Sequence, residues 1–256
     1  SIEYIQKKYP LIKVLENESN LGFSGGNNVG IDYAMERECD YIYLLNNDTE
    51  VDSNFLSEII SVTEEDLSIG IAGSTVFYYE NPDLVWYAGG HANWISGDMV
   101  DPRVGKKIDI DKSYTEEVDE VAGAGMLIRS QSVLEIGNLN SNFFIYFEET
   151  DWCARVKKSG KKVVWVPKSL VWHKVSMTFG EESPVMVYLM TRNRWLFMKL
   201  NSPFFPIFIV HYLLRSSRNC VRYFFQKKPH LSKALILGVL DALLGRYGKG
   251  RIESLR

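Results

Sequence analysis

Three acids in four positions, Glu148, Glu149 and Asp151, follow directly on five apolar residues, Phe143-Phe144-Ile145-Tyr146-Phe147. Carboxylates at the edge of a core lose water and crowd one another. Both effects raise the pKa and suit such groups to proton transfer near neutral pH. The same residues also suit a plain helix start, where acids favour the positive end of the dipole and Asp151 with Arg155 makes an i,i+4 pair. Other candidates stand far off in the chain. Asp48 closes Asn46-Asn47-Asp48, either as a carboxylate facing a ligand at a strand end or as the side chain of an Asx turn. His173 ends Leu170-Val171-Trp172-His173 and is either structural or an imidazole for metal binding or proton transfer. The glycine- and asparagine-rich stretch 20–31 and the trio Gly123-Ala124-Gly125 let the backbone come close to a ligand. At a helix start that ligand is typically phosphate, although a plain turn reads equally from the same residues. The spacing is neither G-x-G-x-x-G nor a P-loop.

These side chains need a scaffold. Residues 11–15 read as a strand, residues 20–31 as a turn opening a helix to about residue 37, and 40–45 as a buried strand. Strand, helix, strand predicts a β-α-β unit of a parallel sheet, whose ligands gather at the carboxyl ends of the strands. Asp52-Ser53-Asn54 caps a helix from Phe55 to about residue 64. Further strands are expected at 69–74, 118–129, 162–167 and 170–174, with a short helix at 132–136 closed by Gly137. Residues 77–117, including Trp86-Tyr87-Ala88-Gly89-Gly90, read as a long loop or small hairpins over the site.

The chain has 256 residues, 46% hydrophobic and 24% charged, enough for one sizeable core and an appendage. Its three cysteines, Cys39, Cys153 and Cys220, are far apart and form no C-x-x-C. That argues for a reducing compartment and against a disulfide frame or zinc knuckle, and the first residues have no secretory pattern. The net charge of −3 hides a split, with thirteen Lys and Arg against two acids in residues 185–256 and a balance of −14 before them. The expected boundary lies near Ser183-Pro184, separating a body (1–184) from a basic helical region (185–256). The apolar run at 204–214 falls short of the about 20 residues a membrane span needs. Arg215, Arg218 and Arg222 follow it as one stripe, which with the aromatic residues fits a helix lying on an anionic membrane surface or a helical cap on the body. An acidic body without a nucleic-acid motif excludes nucleic acid as a partner.

In order along the chain, Asn20-x-Gly22-Phe23-x-Gly25-Gly26-x-Asn28-x-Gly30-Ile31, Leu44-Leu45-Asn46-Asn47-Asp48-Thr49, Gly123-Ala124-Gly125, Glu148-Glu149-x-Asp151-Trp152 and Trp172-His173 resemble family 2 glycosyltransferases. The likeness is greatest to rhamnosyltransferase-type members that build bacterial surface polysaccharides, and it covers roughly residues 10–180. It implies a GT-A fold, a Rossmann-like α/β nucleotide-sugar transferase domain, here followed by C-terminal amphipathic helices. Carried over by motif, Glu149 is the catalytic base and Asp48 and His173 are ligands of a divalent metal, Mg²⁺ or Mn²⁺. Asn20, Gly25, Gly26, Asn28, Asn46, Gly123, Ala124, Gly125 and Glu148 then border the donor, and Asp151 and Trp152 line the acceptor side.

Family members open with a strand, a βα unit and a second strand whose Asp residues hold base and ribose. This chain opens inside that unit, so the expectation is an N-terminally truncated GT-A domain lacking base recognition. The expected activity is an inverting, metal-dependent hexosyl transfer, with rhamnose as the lean. The donor is a nucleotide-diphosphate sugar and the acceptor a saccharide or lipid-linked saccharide. The expected location is cytoplasmic, peripheral on the inner face of the cell membrane. The alternative is a non-catalytic, membrane-associated remnant or scaffold of the same fold.

Overall fold

The structure is a computed structural model that describes residues 2–174 and 183–255. A first helix, α1 (Ile2–Lys8), precedes α2 (Gly22–Met35), and the sheet begins with β1 (Tyr41–Leu45) and β2 (Thr49–Val51). Next come α3 (Phe55–Glu65), the long central strand β3 (Ile69–Tyr78), and β4 (Val85–Tyr87). A hairpin of β5 (His91–Asn93) and β6 (Asp98–Val100) is followed by β7 (Glu116–Glu117), β8 (Gly125–Arg129) and α4 (Ser130–Ile136). The body closes with α5 (Glu148–Lys158) and β9 (Lys162–His173), and three helices follow: α6 (Pro184–Asn201), α7 (Phe205–Phe225) and α8 (Pro229–Leu243).

The main sheet runs β1-β8-β3-β9-β2, with β4 on β3 and β7 on β9. Side chains alternate across it as a two-residue period requires. Ile42, Leu44, Met126 and Ile128 point into a core closed by Ile31 of α2, Val133 of α4 and Trp152 and Val156 of α5. Leu127, Ala72, Val164 and Val166 point the other way, onto Ile59 of α3. The chain is therefore a three-layer α/β structure, and β3, buried along nearly its whole length, is its spine.

Several expectations need correction. Residues 11–15 form no strand: Leu11 and Ile12 are 99% and 56% exposed, and nothing in the sheet lies beside them to share hydrogen bonds. Consequently no parallel β-α-β unit forms there. Strand β1 pairs antiparallel with β8, and the parallel pairing is instead β3 with β9. Strand β8 is also shorter than the 118–129 expected, because Ala122 O accepts from Gly125 N and closes a turn before it. The two pieces expected at 162–167 and 170–174 are one strand whose register skips between Val166 and Leu170, where Pro167 cannot donate to a ladder. Residues 77–117 do form small hairpins.

The tail helices extend the body. Ser183 caps α6 by accepting from Met186 N, with Pro184 in the first turn. Trp195, Phe197 and Met198 of α6 bury themselves with Phe143, Phe147 and Ala154.

Candidate active site

The segment before α5 takes an unusual path. Phe144, Tyr146 and Phe147 all have positive φ (68°, 72° and 73°), a region that costs a bulky residue on the order of 1–3 kcal/mol. The path is held from two sides. On one, the Asn193 side-chain amide donates to the carbonyls of Phe143, Ile145 and Tyr146 at 2.8, 2.9 and 2.9 Å, and Arg192 donates to Phe143 O at 3.2 Å. Both side chains are fully buried, and Asn193 Oδ1 accepts from Arg192 Nε. On the other, Ser24 N and Oγ of α2 donate to Phe144 O. Gly22 makes that approach possible, since its φ is +74° and a Cβ there would lie 2.3 Å from Phe144 O.

The turn delivers two acids to the first turn of α5, beside a third that the motif reading passed over. Glu120 is buried, accepts from Tyr87 Oη at 2.5 Å and from Thr150 Oγ1, and is reached because Gly90 has no Cβ to obstruct the Tyr87 hydroxyl. Glu148 is buried with one carboxyl oxygen unpartnered, and Glu149 is half-buried with one oxygen likewise. Burial and the neighbouring Glu149 hold Glu148 well above the ordinary carboxylate range. Burial and the charge of Glu120 push Glu149 up to about 8, against the downward pull of its own backbone N–H. Gly123 comes next to it: a Cβ at that position would be 3.9 Å from Glu149 Cβ and 3.0 Å from the Phe23 ring. A carboxyl that exchanges its proton near neutral pH can act as a general base or acid.

A second polar group forms where β1 ends and β9 ends. Pairing of β2 with β9 sets Thr49 opposite His173, which puts His173 Nε2 at 3.1 Å from Asp48 Oδ1 and 3.2 Å from Asn46 Nδ2. Burial lowers the His173 pKa despite Asp48, so the ring is neutral at neutral pH. A neutral Nε2 cannot both donate to Asp48 and accept from Asn46. If it accepts, its lone pair faces a carboxylate, an arrangement that a cation between them would relieve. The donor set, one oxygen and one imidazole nitrogen, is of a kind that suits Mn²⁺ or Mg²⁺. Among the described residues no group of three His, Cys, Asp or Glu gathers. Strand β4 touches both polar groups: the Trp86 ring meets His173 edge-on at 4.8 Å, and Tyr87 holds Glu120.

The other expected residues lie elsewhere. Asp151 is buried, with one oxygen on Arg155 (2.8 Å) and the other on Asn201 (2.9 Å), so it fastens α5 to the end of α6 instead of facing an acceptor. Trp152 is fully buried in the core and donates to Gly137 O. Asn28 spends its amide on both backbone groups of Leu139, tying α2 down. Asn20 accepts from Gly22 N, so the helix starts at Gly22 and Gly25 and Gly26 lie inside it rather than in a loop. At Gly125 a Cβ would press on Ser74 and Tyr43 Oη within the sheet, and the adjacent Ala124 is buried. Glu120 and the role of Asn193 were not anticipated. Acids inside the apolar run 118–128 were the available signal for Glu120; Asn193 lies in Thr191-Arg192-Asn193-Arg194, which also resembles family 2 glycosyltransferases, but nothing in that stretch foretells its backbone-carbonyl partners.

A sequence profile described as "Glycosyl transferase family group 2" matches residues 41–242. The chain is similar to the low-salt glycan biosynthesis hexosyltransferase Agl10 of Haloferax volcanii, 29% identical in an alignment that covers 93% of this chain and 78% of that protein. It is also similar to the dTDP-rhamnosyl transferase RfbF of Shigella flexneri, 22% identical over 253 residues, 92% of this chain and 79% of that one. In fold it resembles the mannosyltransferase PcManGT of Pyrobaculum calidifontis, solved with GDP-Man and Mn²⁺ (TM-score 0.53, 7% identity, 96% of this chain and 74% of that chain). The α/β sheet is thus that of the GT-A glycosyltransferases.

Proposed function

The chain belongs to glycosyl transferase family group 2, and on that footing we propose an inverting transferase that moves a sugar from a nucleoside-diphosphate donor to a saccharide or lipid-linked acceptor. Glu149 carries the reading: it is a half-buried carboxyl at a helix start whose proton comes off near pH 8. It takes the proton of the acceptor hydroxyl as that oxygen attacks the anomeric carbon. The bond from that carbon to the diphosphate breaks, its electron pair leaves with the diphosphate, and the centre passes through an oxocarbenium-like state. Attack from the side opposite the leaving group inverts the configuration.

Asp48 and His173 would hold a cation, Mg²⁺ or Mn²⁺, which when bound would neutralise charge on the departing diphosphate. Glu120 keeps Glu149 protonatable by its charge and fixes Thr150 in the same turn. Asn193 and Arg192 keep the turn in the conformation that aims Glu149. Rhamnose on deoxythymidine diphosphate is the first donor to test, because RfbF carries that donor in its name. The basic region 185–256 and the apolar outer face of α7 support a peripheral place on the cytoplasmic side of a membrane. Among the described residues no helix is long and apolar enough to cross one.

In Glu149→Gln, transfer should fall by about 10²–10⁴-fold, the usual worth of general base catalysis, while donor binding measured by titration stays. A Gln variant that still turns over would remove Glu149 from the role.

A further inference from the structure

Helix α7 buries Phe208, Tyr212 and Tyr223 against the body, yet it also turns an apolar row outward. Its outward side carries Ile207, Val210, Leu214, Val221 and Phe225, exposed by 54–77%. Its inward side carries Tyr212, Arg215, Asn219 and Tyr223, all buried or half-buried. A soluble helix keeps its outward side polar, so the outward row calls for an apolar cover.

Beneath the inward side lies a cavity of about 260 Å³ between α6, α7 and α8. Arg194, Arg215 and Arg222 line it together with Asn219, and Met190 and Leu235 form apolar wall. Two of these guanidiniums meet one carboxylate: Asp98 of the β5–β6 hairpin takes Arg194 and both bonds of Arg215 (2.7 and 2.8 Å). Arg222 is exposed and lies 5.0 Å over the Tyr223 ring, with no acid paired to it among the described residues. Burial and the adjacent Arg215 push the Arg194 pKa down, against the upward pull of Asp98. The cavity is smaller than the about 300–1,000 Å³ that encloses a whole small molecule, so it suits the head of something larger. Arginine's fork matches phosphate oxygens.

We propose that this cavity binds the phosphate head of a membrane lipid, with Arg215 and Arg222 on its oxygens and Met190 and Leu235 against its first carbons. The inference rests on the membrane reading above and names the partner more closely. The apolar row outside the same helix favours a lipid over a free phosphate, since both parts of one molecule then find a match. Arg194 also lies over the Phe147 ring (5.5 Å), the residue that caps the helix of Glu149, so the occupied cavity adjoins the catalytic turn.

The test is flotation of the full chain on phosphatidylcholine vesicles doped with phosphatidic acid, against vesicles given the same charge by oleate. Arg222→Gln is compared with Arg218→Gln, which removes an equal charge from an exposed position of the same helix outside the cavity. Wild type should prefer phosphatidic acid, Arg222→Gln should lose that preference by about tenfold, the usual size of one charged hydrogen bond, and Arg218→Gln should keep it. Equal losses in the two variants, or equal binding to oleate vesicles, would mean diffuse surface charge and overturn the site. If nothing floats, the membrane reading falls and titration with soluble dihexanoyl phosphatidic acid decides the cavity. Binding that Arg222→Gln abolishes sustains it; no binding, or inorganic phosphate binding as well, overturns it.

Discussion

Glu149→Gln should flatten the pH dependence of stability. In the native protein the carboxyl keeps its proton up to about pH 8, whereas an unfolded chain releases it near the ordinary 4.5. Because the folded pKa is the raised one, the stabilisation is complete below about pH 4.5 and is lost as pH climbs through about 8. Between those values the native state holds one more proton than the unfolded state, so stability falls by up to about 1.4 kcal/mol per pH unit. From pH 5.5 to 7.5 that amounts to roughly 3 kcal/mol at most, since Glu148 and Glu120 share in the same proton uptake. For a chain of this length each kcal/mol moves Tm by about 2–4 °C, so the wild-type Tm should drop by up to about 6–12 °C more than that of the Gln variant. Thermal unfolding followed by circular dichroism over this range reads the difference directly. Parallel curves for the two proteins would refute the claim that Glu149 is a proton-holding acid in the native state, and with it the electrostatic basis of its role as base.

The clamp on the acid turn, the metal pair and the α2 contact give three further tests. Asn193→Ala leaves Ile145 O and Tyr146 O without their buried partner, at about 1–3 kcal/mol each. Urea unfolding should show a loss of roughly 2–4 kcal/mol, and kcat should fall with donor KM little changed; unaltered kcat would make Asn193 a merely structural residue. Asp48→Ala should weaken Mn²⁺ binding in calorimetry with a nucleoside diphosphate present. In wild type that affinity should be level around neutral pH, where burial keeps His173 neutral, and decline only in acid, below the ordinary imidazole range; an Asp48→Ala protein that binds Mn²⁺ normally refutes the assignment. Gly22→Ala should cost at least about 1–2 kcal/mol for the left-handed backbone alone, with further loss from the 2.3 Å approach to Phe144 O. A variant as stable as wild type in urea would show that the approach is not needed.

Local order was largely legible. The apolar runs at 41–45, 69–74 and 162–167 become strands, the run from Phe55 becomes a helix, and the acids of 148–151 start one, because periodicity and helix-end charge act over a few residues. The candidate site was legible in part. The side chains of Asn46, Asp48 and His173 do meet, although 125 residues separate the last two. The absence of a strand at 11–15 was not legible, because a strand exists through its neighbour and none lies beside Leu11 and Ile12.

The chain's own order of residues determined that a cluster of acids would begin a helix and that a basic, aromatic segment would follow the body. Tertiary structure alone decided what each acid does. The rotation of α5 against the sheet buries Glu148, leaves Glu149 beside Gly123 and sends Asp151 to Arg155 and Asn201. It also brought in Glu120 and the Asn193 clamp from far along the chain, and turned the apolar side of α7 outward. The physical reason is range: dipoles and periodicity act within a few residues, whereas burial and hydrogen-bond partners depend on which distant segment fills the space opposite.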